Sequence, residues 1–473
     1  MSVLDSHGKT TAAANVSASA SRPSDEGVDA VANHPAIEEE SFADINHGLI
    51  RLLMVAAIAG IAVGLVGGSF HWLLVQGGAG FLETLAQWKD HGVWGVPGWI
   101  AAMVVVGVSV ALARWLVTFA PSAAGSGVQH VEAVMREQAT PAPFRVLPIK
   151  YVGGLLAMVP GLALGREGPT IQMAAVIGTQ FGKVFKLARE DRFMLYTAVA
   201  GSGLSVAFNA PLAGAAFVLE EVARRVTARR LLVTLVAVAT AMAVYRGYFG
   251  NDVEFDVADF LPATPTELIV FALFGGIMGA LGVAYNKTVL FGLNSFNNIA
   301  PKVSPIAKAG VIGAAIGLLA YYQPHLVGGG ELQANMVLAG QFGIGALLLL
   351  FAVRWVLGPL SYSMGTPGGL FAPLLLVGAV TGALFAHSAN VILPEASALM
   401  PAAFALVGMA AFFTAVVRAP FTGVLLITEM SGSVDLVIPM VVAGVTATVA
   451  ADLMRGEPIY DSLRARMPGA SKR

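Results

Sequence analysis

Leu162-Ala163-Leu164-Gly165-Arg166-Glu167-Gly168-Pro169-Thr170-Ile171 places two formal charges and a proline inside an otherwise apolar stretch. Proline is favoured at the first helical position, where its missing N–H costs nothing, so Glu167 falls at or just before a helix N-terminus. Lipid cannot satisfy the free N–H groups of such an end, so a helix that starts inside a membrane must face a cavity or an ion. The surrounding chain has that character. Residues 49–452 are a succession of apolar segments, and 49–75, 100–119, 231–248, 268–290, 309–321 and 344–360 are expected to span a hydrocarbon layer of ~30 Å at ~1.5 Å per residue. Segments 126–135, 169–181, 211–219 and 371–382 are cut short by Gly, Pro or charge, and read as broken helices ending within the membrane.

Composition supports an all-α polytopic membrane protein. Of 473 residues, 56% are hydrophobic and 12% charged, about half the ~25% charge of a soluble domain. Glycine, at 54 residues, is concentrated in apolar runs, which suits closely packed or interrupted transmembrane helices. Between Glu331 and Asp435 the only formal charges are Arg354, Glu395, Arg418 and Glu429. The 28 Lys+Arg against 29 Asp+Glu leave no basic footprint for nucleic acid. With no cysteine, disulfides, thiolate metal sites and cysteine nucleophiles are excluded. No two of the eight histidines stand at ligand spacing and HExxH is absent, so neither a metal, a cofactor nor an enzyme is expected.

Residues 1–47 are polar, Ala/Ser-rich and acidic, and are expected to form a disordered tail without a signal peptide. The membrane domain is expected over 48–466, in halves of roughly 48–249 and 266–452 followed by a helix carrying Tyr460, with 467–473 as a basic tail. The halves are indicated by an internal repeat. Ala210-Pro211-Leu212-Ala213-Gly214 leading to Glu220 aligns on Ala419-Pro420-Phe421-Thr422-Gly423 leading to Glu429, and Gly165-Arg166-Glu167-Gly168-Pro169 aligns on Gly369-Leu370-Phe371-Ala372-Pro373. Paired interrupted segments in two halves point to a transporter site near the midplane. Arg224, Arg225, Arg229, Arg230 and the basic C-terminus suggest cytoplasmic faces, with both termini inside.

The start of a helix attracts an anion, and a glutamate there is itself a tethered anion. Glu167 can therefore occupy such a site when ionised and leave it when protonated, so that a proton and a small anion compete. The alternative is a buried Arg166–Glu167 pair or an ordinary cap. Gly125-Ser126-Gly127, Gly369-Leu370-Phe371-Ala372-Pro373 and Tyr460 offer further amide and hydroxyl donors. Neutral donors suit an anion that must dehydrate, bind and leave again.

Together these motifs resemble the CLC chloride channel and transporter family, over roughly residues 48–466, and most closely its bacterial proton-coupled exchangers. The resemblance rests on GSG at 125–127, GREGP at 165–169, FNAPLAG at 208–214, GLFAP at 369–373 and PIY ending at Tyr460. It implies two inverted-topology halves of short, tilted and broken helices, a homodimer with one anion path per subunit, and residence in the bacterial inner membrane among lipid. It also implies that Ser126 and Tyr460 give hydroxyls to chloride, that the N–H groups of Leu370 and Phe371 complete the site, and that Glu167 is the gate. Glu221 matches the exchangers' proton-transfer glutamate, where channels carry an apolar residue. Exchange of chloride for protons is therefore expected, through Glu167 and Glu221; the alternative is an uncoupled chloride channel. Glu220 is expected to be a solvated helix-end residue facing Arg224 and Arg225. Glu132, Lys150 and Arg166 are expected to form a buried structural charge cluster. One departure stands out: Gln129 replaces the proline of the family's GSGIP, which frees an N–H and loosens the helix start.

Overall fold

The computed structural model describes residues 47–222, 227–251, 253–255, 257, 260–392 and 400–467. Apart from His47 and Met467, the two expected tails lie outside the described residues, as do Arg224 and Arg225. Among the described residues there is no β-strand. The helices in chain order are α1 (His47–His91), α2 (Gly98–Leu116), α3 (Val128–Met135), α4 (Val146–Met158), α5 (Glu167–Val184) and α6 (Arg189–Phe208). There follow α7 (Pro211–Phe217), α8 (Ala228–Phe249), α9 (Pro265–Asn298), α10 (Pro305–Tyr322), α11 (Glu331–Leu338) and α12 (Ile344–Ser363). The last are α13 (Phe371–Ile392), α14 (Pro401–Val417), α15 (Pro420–Ser431), α16 (Val437–Leu453) and α17 (Ile459–Arg464).

Among the described residues seven helices are long and apolar enough to cross a bilayer, and six of them contain the six expected spans; the seventh is α13, which runs over 22 residues where a break was expected near Gly382. The glycines that suggested interruption serve close packing instead. A Cβ at Gly378 would stand 2.5 Å from the Gly408 carbonyl, and one at Gly382 would collide with the Phe404 backbone, so α13 and α14 cross backbone against backbone. Helix α5 likewise extends to 18 residues, and α1 runs unbroken over 45 residues, or ~68 Å, well beyond the expected 49–75. Helices α3 and α7 are as short as expected, and α7 continues into a π-helical turn, Val218–Val222.

The repeat has a structural counterpart at α7 and α15. The Glu429 carboxylate, near the C-terminal end of α15, accepts from the N–H groups of Leu212 (3.0 Å) and Ala213 (2.8 Å) at the start of α7. The Glu220 carboxylate, just past α7, accepts from the N–H groups of Phe421 (3.1 Å) and Thr422 (2.7 Å) and from the Thr422 hydroxyl at the start of α15. Each acid satisfies donors that a helix start leaves open. The reciprocity requires α7 and α15 to lie antiparallel, which is the relation of two inverted halves. Glu220 is therefore a helix cap rather than a solvated residue.

Candidate functional site: three helix starts around Glu167

Short backbone bridges tie three loops together. The Gly125 N–H donates to Thr366 O and the Gly368 N–H to Gly125 O, both at 3.1 Å; Gly165 and Gly369 exchange N–H···O bonds of 2.9 and 2.6 Å. The N-terminal ends of α3, α5 and α13 are thereby gathered at one place. Gly125 (φ 63°) and Gly127 (φ 92°) turn the first loop through left-handed backbone that residues with a Cβ rarely adopt. From α4, the fully buried Lys150 ammonium donates to Ala123 O (3.0 Å) and Gly125 O (2.7 Å), and from α5 the Gln172 amide donates to Ser122 O (2.8 Å).

Ser126, Glu167, Leu370, Phe371 and Tyr460 are all completely buried here. Ser126 Oγ packs directly on Gly168, and a Cβ at Gly369 would lie 3.2 Å from Glu167 Oε2. The Phe371 ring is the hub of an aromatic cluster with Phe413 (4.8 Å), Tyr460 (5.8 Å), Phe217 (5.9 Å) and Phe208 (6.4 Å), which fixes the start of α13. Neither Glu167 oxygen has a hydrogen-bond partner of good geometry, although the N–H groups of Glu167 and Ala372 act on the carboxylate. The hydroxyls of Ser126 and Tyr460 are also unpartnered, though close enough to act on one another.

Tyr460 owes its position to anchors from three other parts of the chain. Arg418 donates to Gly456 O (2.8 Å) and Asn286 to Glu457 O (3.1 Å), while Arg136 at the end of α3 pairs with Asp461 (3.2 Å). These bonds press α17 against α3, so the phenol of Tyr460 and the hydroxyl of Ser126 share one buried space.

Glu221 is not part of this group. It is buried in the π-helical turn after α7, in electrostatic range of Glu132. The expected cluster of Glu132, Lys150 and Arg166 does not form, although all three are buried. Lys150 takes backbone carbonyls, which complete its donors without an acid. Both Glu132 oxygens lack a partner, with Glu221, Asp461, Arg136 and Arg464 around them. Arg166 binds Glu254 (3.0 Å), Glu331 (2.6 Å) and Ala207 O (2.7 Å). This triad borders a cavity of about 430 Å³ that also reaches Gly328–Gly330 and Leu164. The sequence reading missed Glu254 and Glu331, whose only signal was acidic residues flanking apolar runs. Arg354 supports the arrangement by donating to Gly328 O (2.8 Å), beside Glu331.

What these groups can do follows from their polarity. Backbone N–H groups and two hydroxyls converge with one carboxylate, and the basic side chains nearby are spent on other partners. Such a place can hold a small dehydrated anion or the carboxylate, exchanging one for the other. Among the described residues no cluster of three or more His, Asp or Glu side chains is placed to hold a metal ion.

Comparison with known proteins agrees with this architecture. The chain is 36% identical over 423 residues to the H(+)/Cl(-) exchange transporter ClcA of Vibrio parahaemolyticus, covering 88% of this chain and 89% of that protein. It is 34% identical over 426 residues to the protein of the same name from Vibrio campbellii, covering 88% and 89%. The crystal structure of a slow cyanobacterial Cl−/H+ antiporter superposes with a TM-score of 0.82 at 30% identity, covering 88% of this chain and 97% of that one. The family model described as voltage gated chloride channel matches residues 107–452. A polytopic chain with three helix starts meeting at Glu167 and this likeness over 88% of its length belongs to the CLC family of integral membrane proteins.

Proposed function

We propose that the chain is a secondary active transporter that exchanges chloride for protons, with Glu167 as its gating carboxylate. The observation that carries this reading is the convergence of a buried, unpartnered carboxylate with two buried, unpartnered hydroxyls at three helix starts. Chloride takes the hydroxyls of Ser126 and Tyr460 and the N–H groups of Leu370 and Phe371. When ionised, the Glu167 carboxylate competes for the same donors. Protonation removes its charge, weakens its hold on them and lets chloride in. Helix-start donors attract either anion without the grip of a buried cation.

Glu221 is the inner proton-transfer group. A proton passes from it towards Glu167 while chloride follows the hydroxyl-lined route. The presence of an acid at 221, and relatives named as H(+)/Cl(-) exchangers, favour coupled exchange over an uncoupled channel. No cofactor is assigned. The chain acts as a homodimer in the bacterial inner membrane with both termini cytoplasmic. The apolar exposure of Leu212, Phe421, Ile438 and Val445 on α7, α15 and α16 suits contact with another protein or with lipid.

The test is anion-driven proton uptake by liposomes containing the purified protein, with chloride and nitrate compared. A chloride gradient should drive protons in the opposite direction against their own gradient. Chloride movement without proton movement would favour the channel.

A further inference from the structure

Tyr362, at the end of α12, is buried, and the Ser126 N–H donates to its hydroxyl over a long bond of 3.5 Å. A Cβ on Gly125 would lie 3.0 Å from the same oxygen, so the phenol reaches into the 125–127 loop itself. Gln129 holds both partners. Its Oε1 accepts from the Gly127 N–H at 3.2 Å, and its side-chain amide lies close enough to the Tyr362 hydroxyl to act on it. With Oε1 turned to the Gly127 N–H, the amide can present its NH2 to the phenol as donor. The tyrosine oxygen accepts from the Ser126 N–H and has the Gln129 amide beside it, so its own hydrogen remains to be donated. Tyr460 and Ser126, with hydroxyls that lack partners, are its neighbours. A proline at 129 could make neither Gln129 contact.

We propose that Tyr362 is a third hydroxyl ligand of the transported anion, aimed by Gln129 as a positioning residue. The proposal rests on the reading that Ser126 and Tyr460 hold that anion, and it adds a determinant of anion selectivity. Three convergent O–H donors suit a compact spherical halide. Nitrate spreads its charge over three oxygens and gains less from each donor.

The experiment is titration of chloride and of nitrate into the detergent-solubilised full-length protein, followed by calorimetry. Tyr362→Phe should weaken chloride binding about tenfold, the value of one hydrogen bond to a charged group, and nitrate binding less. Gln129→Met should shift the chloride-to-nitrate ratio in the same direction by a smaller factor. The double variant should match Tyr362→Phe, because Gln129 acts through the tyrosine. Tyr460→Phe serves as the reference. If it weakens chloride binding while Tyr362→Phe and Gln129→Met keep the wild-type ratio, the assignment of Tyr362 is overturned and the anion site stands. If Tyr460→Phe also binds as wild type does, the underlying site reading fails. Should Tyr362→Phe aggregate on size-exclusion chromatography, Gln129→Met decides: an unchanged ratio overturns the proposal and a lowered one supports it.

Discussion

Arg166 and Glu167 are neighbours in sequence but not a pair: the guanidinium bridges Glu254 and Glu331, and the Glu167 carboxylate is left with no hydrogen-bond partner of good geometry. Glu254 from a loop and Glu331 from the start of α11 thus take up the one cation that could have neutralised Glu167 within its own motif. The carboxylate stays available for exchange because Arg166 is occupied elsewhere.

Replacing Arg166 should therefore damage folding before it alters transport. Arg166→Met would leave Glu254 and Glu331 facing each other without a cation. Breaking a buried ion pair in this way costs ~3–5 kcal/mol. Loss of folded protein on size-exclusion chromatography is expected, with Glu331→Gln milder because Glu331 is partly exposed. A well-folded Arg166→Met protein with altered proton coupling would give Arg166 a direct role in transport.

Lys150 fixes the first loop through two carbonyls. Lys150→Met should strand Ala123 O, at ~1–3 kcal/mol for an unsatisfied buried group, and leave Gly125 O with the Gly368 N–H alone. The melting temperature in detergent should fall, and chloride affinity with it, since Gly125 adjoins Ser126. Unchanged stability would show that another donor replaces the ammonium.

Gly168 is where α5 passes Ser126, and a Cβ there would stand 2.8 Å from Ser126 Cα as well as against Oγ. Gly168→Ala should push Ser126 aside, abolishing most chloride flux in liposomes while the protein still assembles. Wild-type flux would mean that Ser126 is not a ligand.

The reciprocal caps make a symmetric prediction. Glu220→Ala and Glu429→Ala each remove two or three bonds to a helix start, where a cap contributes ~0.5–2 kcal/mol. Similar drops in melting temperature are expected, with chloride–proton coupling kept. Loss of coupling at full stability in Glu220→Ala would assign Glu220 to the proton route.

The sequence made broken helices and the residues at their starts legible because proline and glycine act locally, through one missing N–H or one permitted backbone angle. Ser126 and Glu167 could be singled out on those grounds, Tyr460 as a phenol near the end of the apolar region, and the two halves as a repeat ending in Glu220 and Glu429; the roles of Leu370 and Phe371 and the inversion of the halves came from the family resemblance. Helix length was less legible. Gly378 and Gly382 carry the same letter whether they interrupt a helix or let it touch α14, and only the partner's backbone decides. Pairing was the least legible, because Arg166 finds acids 88 and 165 positions away and Lys150 takes carbonyls, which every residue has. The cap role of Glu220 was hidden for the same reason, its partners lying about 200 positions along the chain.

Simultaneous recording of chloride and proton fluxes in liposomes containing Glu167→Ala tests the central claim most directly. The carboxylate is the point at which the two ions meet, so chloride should continue to flow down its gradient, proton movement should cease, and chloride flux should lose its rise with falling pH. Proton transport still coupled to chloride in this variant would contradict the account.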